Sequence, residues 1–371
     1  MTKLRNQKQP VFLLPPFADT GFRALNLRPN TGRMFPLLIL SVLMLFGSCS
    51  EGGDSQRSHG RLIKIGFSLD SVVVERWERD REEFITHARS LGAEVNYRFA
   101  VADARKQVED INELLDDGVD ALVVVPNDAQ ALQGVLKRAA NMDVPVISYD
   151  RLILDSPVSA YVSFDNVEVG RLMAEGMIKH AGFDSRVLII NGGAKDNNSR
   201  LLRRGIAEVL SPYINRGMIR IAGEITPDDW YTSLIEDDLE EYIREEKLDG
   251  IIAANDLFAD SAIQILARYR QAGDVVVVGQ DADLIACQRL VEGIQHRTIY
   301  KPIDRLARQA AETAFNLAVG EKLHSSRTVD NGYARIPAVI VEPVAVEKDN
   351  LEETVIADGF HTREEVYRNR E

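Results

Sequence analysis

The chain has 371 residues, 45% hydrophobic and 27% charged, a globular balance at the length of two domains. Its net charge is -13, with a sequence pI near 5.1. That argues against nucleic acid as a main partner, because phosphate binding needs a basic face.

The first segment reads as targeting rather than fold. Residues 1–33 carry Lys3, Arg5, Lys8, Arg23, Arg28 and Arg33 without periodic pattern, so they are either a long basic leader or upstream of a start at Met34. Residues 36–46 are an uninterrupted apolar run, too short to span a bilayer comfortably and suited to a signal-peptide core. Gly47, Ser48 and Cys49 follow directly and resemble the lipobox of bacterial lipoproteins. Cys49 would then be lipidated and begin the mature chain. Phe46 stands where that pattern prefers Leu, and the alternative is an ordinary secretory site with an incidental cysteine. Lipidation is the favoured reading, since acyl chains supply the anchoring that the short run cannot. Residues 1–49 are thus a leader with a lipoprotein-type signal, and the small, polar residues 50–60 a flexible tether. Cys287 is the only other cysteine. With Cys49 acylated no internal disulfide forms, and the domain is held by its core.

From Leu62 onward the pattern alternates. Strands are predicted at 62–68, 94–99, 121–125, 145–148, 160–164, 186–190, 219–224, 250–253, 275–279 and 298–300. Helices are predicted at 75–91, 102–115, 129–141, 167–180, 197–210, 230–245, 258–269, 283–291 and 303–319. Apolar strands alternating with amphipathic helices imply right-handed βαβ units, parallel sheets and an α/β fold. So many strands exceed one ordinary doubly wound sheet, so two lobes are expected, with the boundary near Phe164 and Asp165. The stretch from Pro337 to Glu371 has a strand-like run at 338–341 and crosses back over the lobes. The six histidines are scattered, which speaks against a histidine metal site.

In open parallel sheets ligands bind beyond the carboxyl ends of the strands. The loops there carry Asp70, Arg76 and Trp77, then Asn127 and Asp128, Asp150 and Arg151, Asp165 and Asn166, and the run from Asn191 to Asn198. Trp230, Asn255, Asp256, Gln280, Asp281 and Lys301 complete the set. Turn and cap chemistry explains about half of the Asp and Asn residues. It does not explain Arg76, Arg151, Lys301 or the two tryptophans. On position alone, core packing of Trp77 and ligand contact are about equally good readings.

The mixture suits a neutral sugar: hydroxyls need acceptors, donors and amides, and aromatic plates cover the C–H faces of a pyranose. The 191–196 run has neither Walker nor dinucleotide-binding spacing. These loops hold no histidine, no cysteine and no G-x-S-x-G, and their carboxylates are interleaved with Arg and Lys that keep them ionised, which favours binding over proton transfer.

The ordered set Glu-Arg-Trp at 75–77, Tyr-Asp-Arg at 149–151, Ser-Phe-Asp-Asn at 163–166, Gly-Gly-x-x-Asp-Asn-Asn at 192–198, Gly-Gln-Asp-Ala-Asp at 279–283 and Tyr-Lys-Pro at 300–302 resembles the D-xylose-binding proteins of ABC transporters. Asn-Gly at 331–332 and Asp-Gly-Phe-His at 358–361 extend it, within the ribose/galactose-type family of periplasmic sugar-binding proteins. The resemblance implies a type I periplasmic-binding fold: two Rossmann-like lobes joined by a three-crossing hinge. It places 61–163 plus about 302–327 in the first lobe, and 164–301 plus about 328–371 in the second. It implies that Arg76, Asp150, Arg151, Asp196, Asn198, Asn255, Asp281 and Lys301 hydrogen-bond the sugar while Trp77 and Trp230 stack on it. Asn166 is a weaker candidate that serves either the ligand or the hinge. Asp229 departs from the glycine more usual before the second tryptophan.

The expected protein is a monomeric, non-enzymatic binding protein of the periplasm or outer cell envelope, lipid-anchored to a membrane. It needs no cofactor and no metal. It would capture D-xylose or a related aldose by hinge closure and deliver it to an ABC permease. The alternative is a sugar sensor feeding a membrane kinase or chemoreceptor. A LacI-type repressor shares the fold, but this acidic chain begins with a signal-like segment instead of a helix-turn-helix.

Overall fold

Strands covered by helices on both faces are apolar throughout, and the runs that read so, such as Ala121–Val124 and Val276–Val278, are fully or almost fully buried. The computed structural model describes residues 61–70 and 76–368. The expected leader, Cys49 and the tether lie outside them. In chain order the elements are β1 (Ile63–Leu69), α1 (Arg76–Ser90), β2 (Ala93–Phe99), α2 (Ala104–Asp116), β3 (Ala121–Val124), α3 (Gln133–Asn141), β4 (Val146–Tyr149) and β5 (Ala160–Phe164). Then come α4 (Asn166–Ala181), β6 (Ser185–Ile190), α5 (Asn197–Asn215), β7 (Ile219–Ile225), α6 (Glu236–Glu245), β8 (Gly250–Ala253), α7 (Asp256–Arg268), β9 (Val276–Val278), α8 (Leu284–Glu292) and β10 (Thr298–Tyr300). The chain closes with α9 (Ile303–Ala318), β11 (Arg327–Asp330), β12 (Arg335–Val341), β13 (Val344–Val346) and α10 (Arg363–Tyr367).

The first sheet has the order β11-β12-β5-β4-β3-β1-β2, parallel except for β11, which runs antiparallel to β12. The second has the order β7-β6-β8-β9, all parallel. It continues into β10 through the Val278–Arg297 bridge and the Asp281 amide, which donates to the Ile299 carbonyl at 2.9 Å. β10 in turn pairs antiparallel with β13. Each sheet therefore reverses its strand order once, between β1 and β3 and between β6 and β8, and the loops at those switch points form the natural ligand crevice.

Each sheet is sandwiched between two apolar cores. Phe67, Phe84 and Tyr149 pack with α9 on one face of the first sheet, and Leu114, Leu122 and Leu136 fill the other. Burying one such side chain contributes about 2 kcal/mol. In the second lobe α4 and α5 approach closely, because a Cβ at Gly170 would lie 2.1 Å from the Leu202 carbonyl oxygen and one at Gly205 2.0 Å from that of Val167.

The chain crosses between the lobes three times: from β5 to α4, from β10 to α9, and from β12 to β13. Both β11 and β12 belong to the first sheet, which corrects the expectation that 328–371 lies in the second lobe. β12 runs parallel to β5 with Ala338 opposite Tyr161, burying Ile336 and Ala338 in the first lobe's core. Asn331 fastens the β11–β12 turn by donating to the carbonyls of Ile153 and Ser156 at 3.1 and 2.9 Å. Only from Val344 does the chain join the second lobe, where Val346, Leu351, Val355 and Val366 cover Cys287 and Leu290.

The expected strands and helices form with shifted ends. The predicted helix over 230–245 instead opens with a 3₁₀ turn at Thr232–Leu234, and its α-helical part starts at Glu236. Trp230 stays outside the helix because its ring is recruited elsewhere.

Candidate functional site

Arg76 and Trp77 are the first described residues of α1, and their side chains lie beside the carboxyl ends of β1 and β4. Trp77 is only 2% exposed. The Arg76 guanidinium lies over its ring, 4.5 Å from the centroid. Arg76 Nε and Nη2 reach the two oxygens of Asp80, one helical turn on, at 3.1 and 3.3 Å. Its Nη2 is also 3.0 Å from Asp150 Oδ2, and its Nη1 is 3.9 Å from Asp281 Oδ1. Burial works against the charge of Arg76, but Asp150, Asp80 and Asp281 outweigh it and raise its pKa well above the ordinary value. The Tyr149 hydroxyl donates to Asp80 from below. Burial raises the pKa of Asp80 against the pull of Arg76.

Asp150 and Arg151 leave β4 on a backbone with φ of 59° at Asp150. Burial disfavours the Asp150 carboxylate, yet Arg76, Lys301 and Arg151 together hold its pKa below the usual carboxylate value. Arg151 bridges the lobes. Its Nη1 is 2.8 Å from Asp70 and donates to the Pro126 carbonyl at 3.2 Å, while its Nε is 2.8 Å from Asp196 of the second lobe.

Asp196 caps α5 by accepting the Asn198 amide at 2.8 Å, and its other oxygen accepts Trp230 Nε1 at 3.2 Å. Burial, only partly offset by Arg151, raises its pKa. Asn198 donates across the cleft to Asp150 Oδ1 at 3.0 Å. One face of the Trp230 indole lies on Phe258, with centroids 5.8 Å apart and planes at 22°. Asn255 caps α7 by accepting the Phe258 amide at 2.9 Å, and Lys301 Nζ is 2.7 Å from Asp281 Oδ1.

All ten sequence-nominated contacts line a single cavity between the lobes: Arg76, Trp77, Asp150, Arg151, Asp196, Asn198, Trp230, Asn255, Asp281 and Lys301. The cavity itself is small, about 30 Å³, so its walls stand close. Asn166 lines the cavity too and donates to Ser163 Oγ and the Phe164 carbonyl at the first crossing, so it stands where the lobe boundary meets the cavity.

Gln280, which the sequence places in a carboxyl-end loop but not among the expected sugar contacts, lines the cavity as well. The signal for it is its place in the Gly-Gln-Asp-Ala-Asp run at 279–283, beside the charged Asp281. Gln280 Nε2 donates to the Ala254 carbonyl at 2.6 Å. Its Oε1, with Trp77 Nε1 and Asn198 Oδ1, is a buried polar atom without a hydrogen-bond partner among the described residues. Such atoms are costly unless something else pairs with them. Elsewhere, Glu83, His87 and Asp304 bring potential metal-ligand atoms within 4.8 Å of one another between α1 and α9. They lie outside this cavity, and His87 Nε2 is paired with Asp304 at 2.7 Å.

A wall of paired cations and carboxylates with amides and two indoles offers directional partners to hydroxyls and flat faces to a ring. The family profile described as a periplasmic binding protein domain matches residues 65–322. The chain is 38% identical over 329 residues to the D-xylose-binding periplasmic protein of Haemophilus influenzae, covering 88% of this chain and 98% of the relative. It is 36% identical over 311 residues to the Escherichia coli D-xylose-binding periplasmic protein, covering 83% and 94%. Among solved structures, the fold is similar to a carbohydrate transporter solute-binding protein from Chloroflexus aurantiacus in complex with D-glucose, with a TM-score of 0.78, 25% identity, and coverage of 82% of this chain and 98% of that one. The matched family and both D-xylose-binding relatives are periplasmic substrate-binding proteins, not enzymes. The chain belongs to the periplasmic binding protein family, on the branch of the D-xylose-binding periplasmic proteins.

Proposed function

We propose that this protein captures one aldose, D-xylose, between its lobes and presents it to an ABC permease, working as a monomer held to a membrane through lipid on Cys49. The observation that carries the reading is the single cavity lined by Trp77, Trp230, three cations and three carboxylates drawn from both lobes. A neutral sugar leaves those charges balanced and gains strong hydrogen bonds from them. Kinship to two D-xylose-binding periplasmic proteins narrows the choice of sugar, and the apolar run before Cys49 supports the anchor.

Calorimetric titration against a panel of aldopentoses and aldohexoses tests it. Xylose should bind at micromolar Kd or tighter, about -8 kcal/mol or beyond. Trp77→Ala should lose about 2 kcal/mol or more of this, as a buried aromatic anchor does. Absence of binding across the panel would overturn the sugar reading. Radiolabelled palmitate in the full chain, lost in Cys49→Ser, tests the anchor separately.

A further inference from the structure

Gln280 and Asp281 reach the cavity from a loop with two successive non-glycine residues at positive φ, Asp281 at 101° and Ala282 at 55°. Side chains with a Cβ rarely adopt such a backbone, and it persists only where the surroundings over-determine it. Those surroundings converge on Asp256, which is 1% exposed and does not line the cavity.

Asp256 Oδ2 accepts the Asp283 amide at 3.1 Å and the Thr298 hydroxyl at 2.7 Å. The same hydroxyl accepts the Ala282 amide at 3.1 Å, so one oxygen links the strained residue to the carboxylate. Asp256 Oδ1 accepts Gln295 Nε2 at 2.8 Å, and the Asp256 amide donates to the Gln280 carbonyl at 2.9 Å. A Cβ at residue 279 would lie 2.2 Å from Asp256 Oδ1, so Gly279 leaves room for the carboxylate under the loop.

An acid in the first turn of a helix commonly serves that helix. Here Asn255 supplies the cap, and the side-chain bonds of Asp256 go to residues 283, 295 and 298, none to α7. Burial, with Asp283 and Asp281 nearby, raises the pKa of Asp256 well above the ordinary value, so hydrogen bonds rather than a paired cation satisfy this deeply buried carboxyl group.

We propose that Asp256 is a positioning residue for ligand binding: its carboxylate clamps the 279–283 loop so that Gln280 and Asp281 face the ligand and Asp281 meets Lys301. The inference rests on the sugar-binding reading of the cavity.

The test uses the full chain and Asp256→Asn, which keeps the volume but offers one acceptor oxygen instead of two. Hydrogen exchange by mass spectrometry should show the 280–284 amides exchanging about tenfold faster in the variant, with α1 and the first sheet unchanged. Xylose affinity by calorimetry should fall about tenfold, the scale of one lost buried hydrogen bond. In a Gln280→Ala/Asp281→Ala background the same substitution should cost nothing further, whereas a merely structural residue would cost the same in both backgrounds. Unchanged exchange in the loop, or an additive loss of affinity, overturns the proposal. If Asp256→Asn fails to fold, Thr298→Val cuts one link of the clamp and is read the same way. If the wild-type chain binds no aldose, the sugar reading fails alone and the exchange measurement still decides the clamp.

Discussion

Gly192 lacks a side chain where Trp230 needs the space. A Cβ there would lie 2.2 Å from Trp230 Cη2 and 2.5 Å from Ser199 Oγ. Phe258 backs the ring and Asp196 holds its nitrogen, so the indole cannot yield without losing one of them. Gly192→Ala should therefore push Trp230 out of the cavity and weaken xylose binding about tenfold or more, while the first lobe keeps its stability. Titration followed by tryptophan fluorescence checks this, and unaltered affinity would show that Trp230 is dispensable. At this scale the sequence marked the charged and aromatic lining residues well, because turn and cap chemistry explains neither Arg76 at a helix start nor Lys301 after a strand. It marked Gln280 poorly, because an uncharged amide beside Asp281 is ordinary turn chemistry until its Oε1 is found buried and unpaired.

Among the elements, the end of β13 is tied to α4 and β10 by one carboxylate. Glu347 receives Lys179, accepts Arg297 Nε at 2.9 Å and Nη2 at 2.5 Å, and stands 3.2 Å from His180 Nε2. Burial opposes its charge, but these partners outweigh it and bring its pKa down to about 2. A depressed acid pKa contributes stability that is present above the ordinary value and lost as pH falls through the folded one. The window is therefore about pH 5 to about pH 2. Glu347→Gln should remove about 1–2 kcal/mol at neutral pH, a figure reduced for the exposure of Lys179, and flatten the acid limb of stability. Denaturant melts at pH 7, 5 and 3 measure it, and parallel pH profiles for the two proteins would refute it. The strands β11 and β12 lie outside the pattern by which the other elements were read. The alternation of strand and helix stops after α9, and the choice of sheet for a late edge strand depends on an open edge beside β5, which no local pattern encodes.

Over the whole molecule, three crossings join the lobes, and the cavity is where they meet. Arg151 pairs with Asp196, Asn198 with Asp150, and Arg76 approaches Asp281, each across the cleft. The residues proposed to hold the sugar thus also hold the lobes to each other. A ligand touching both lobes shifts the balance toward closure by its differential affinity for the two arrangements. Small-angle scattering should show a smaller radius of gyration at saturating xylose than without it. Asp196→Asn should need more sugar for the same compaction, since it weakens the Arg151 link. An unchanged radius at saturation would refute hinge closure. Local pattern by itself determined the two lobes, the order of strands and helices through α9, and the loops that carry the chemistry, because apolar periodicity and carboxyl-end position are written along the chain. Tertiary structure alone decided that β12 joins the first sheet, that Trp230 leaves its helix for Phe258 and Asp196, and that Asp256 rises under a strained loop. Each of those depends on distant segments arriving at one place, where steric fit and unpaired polar atoms set the outcome.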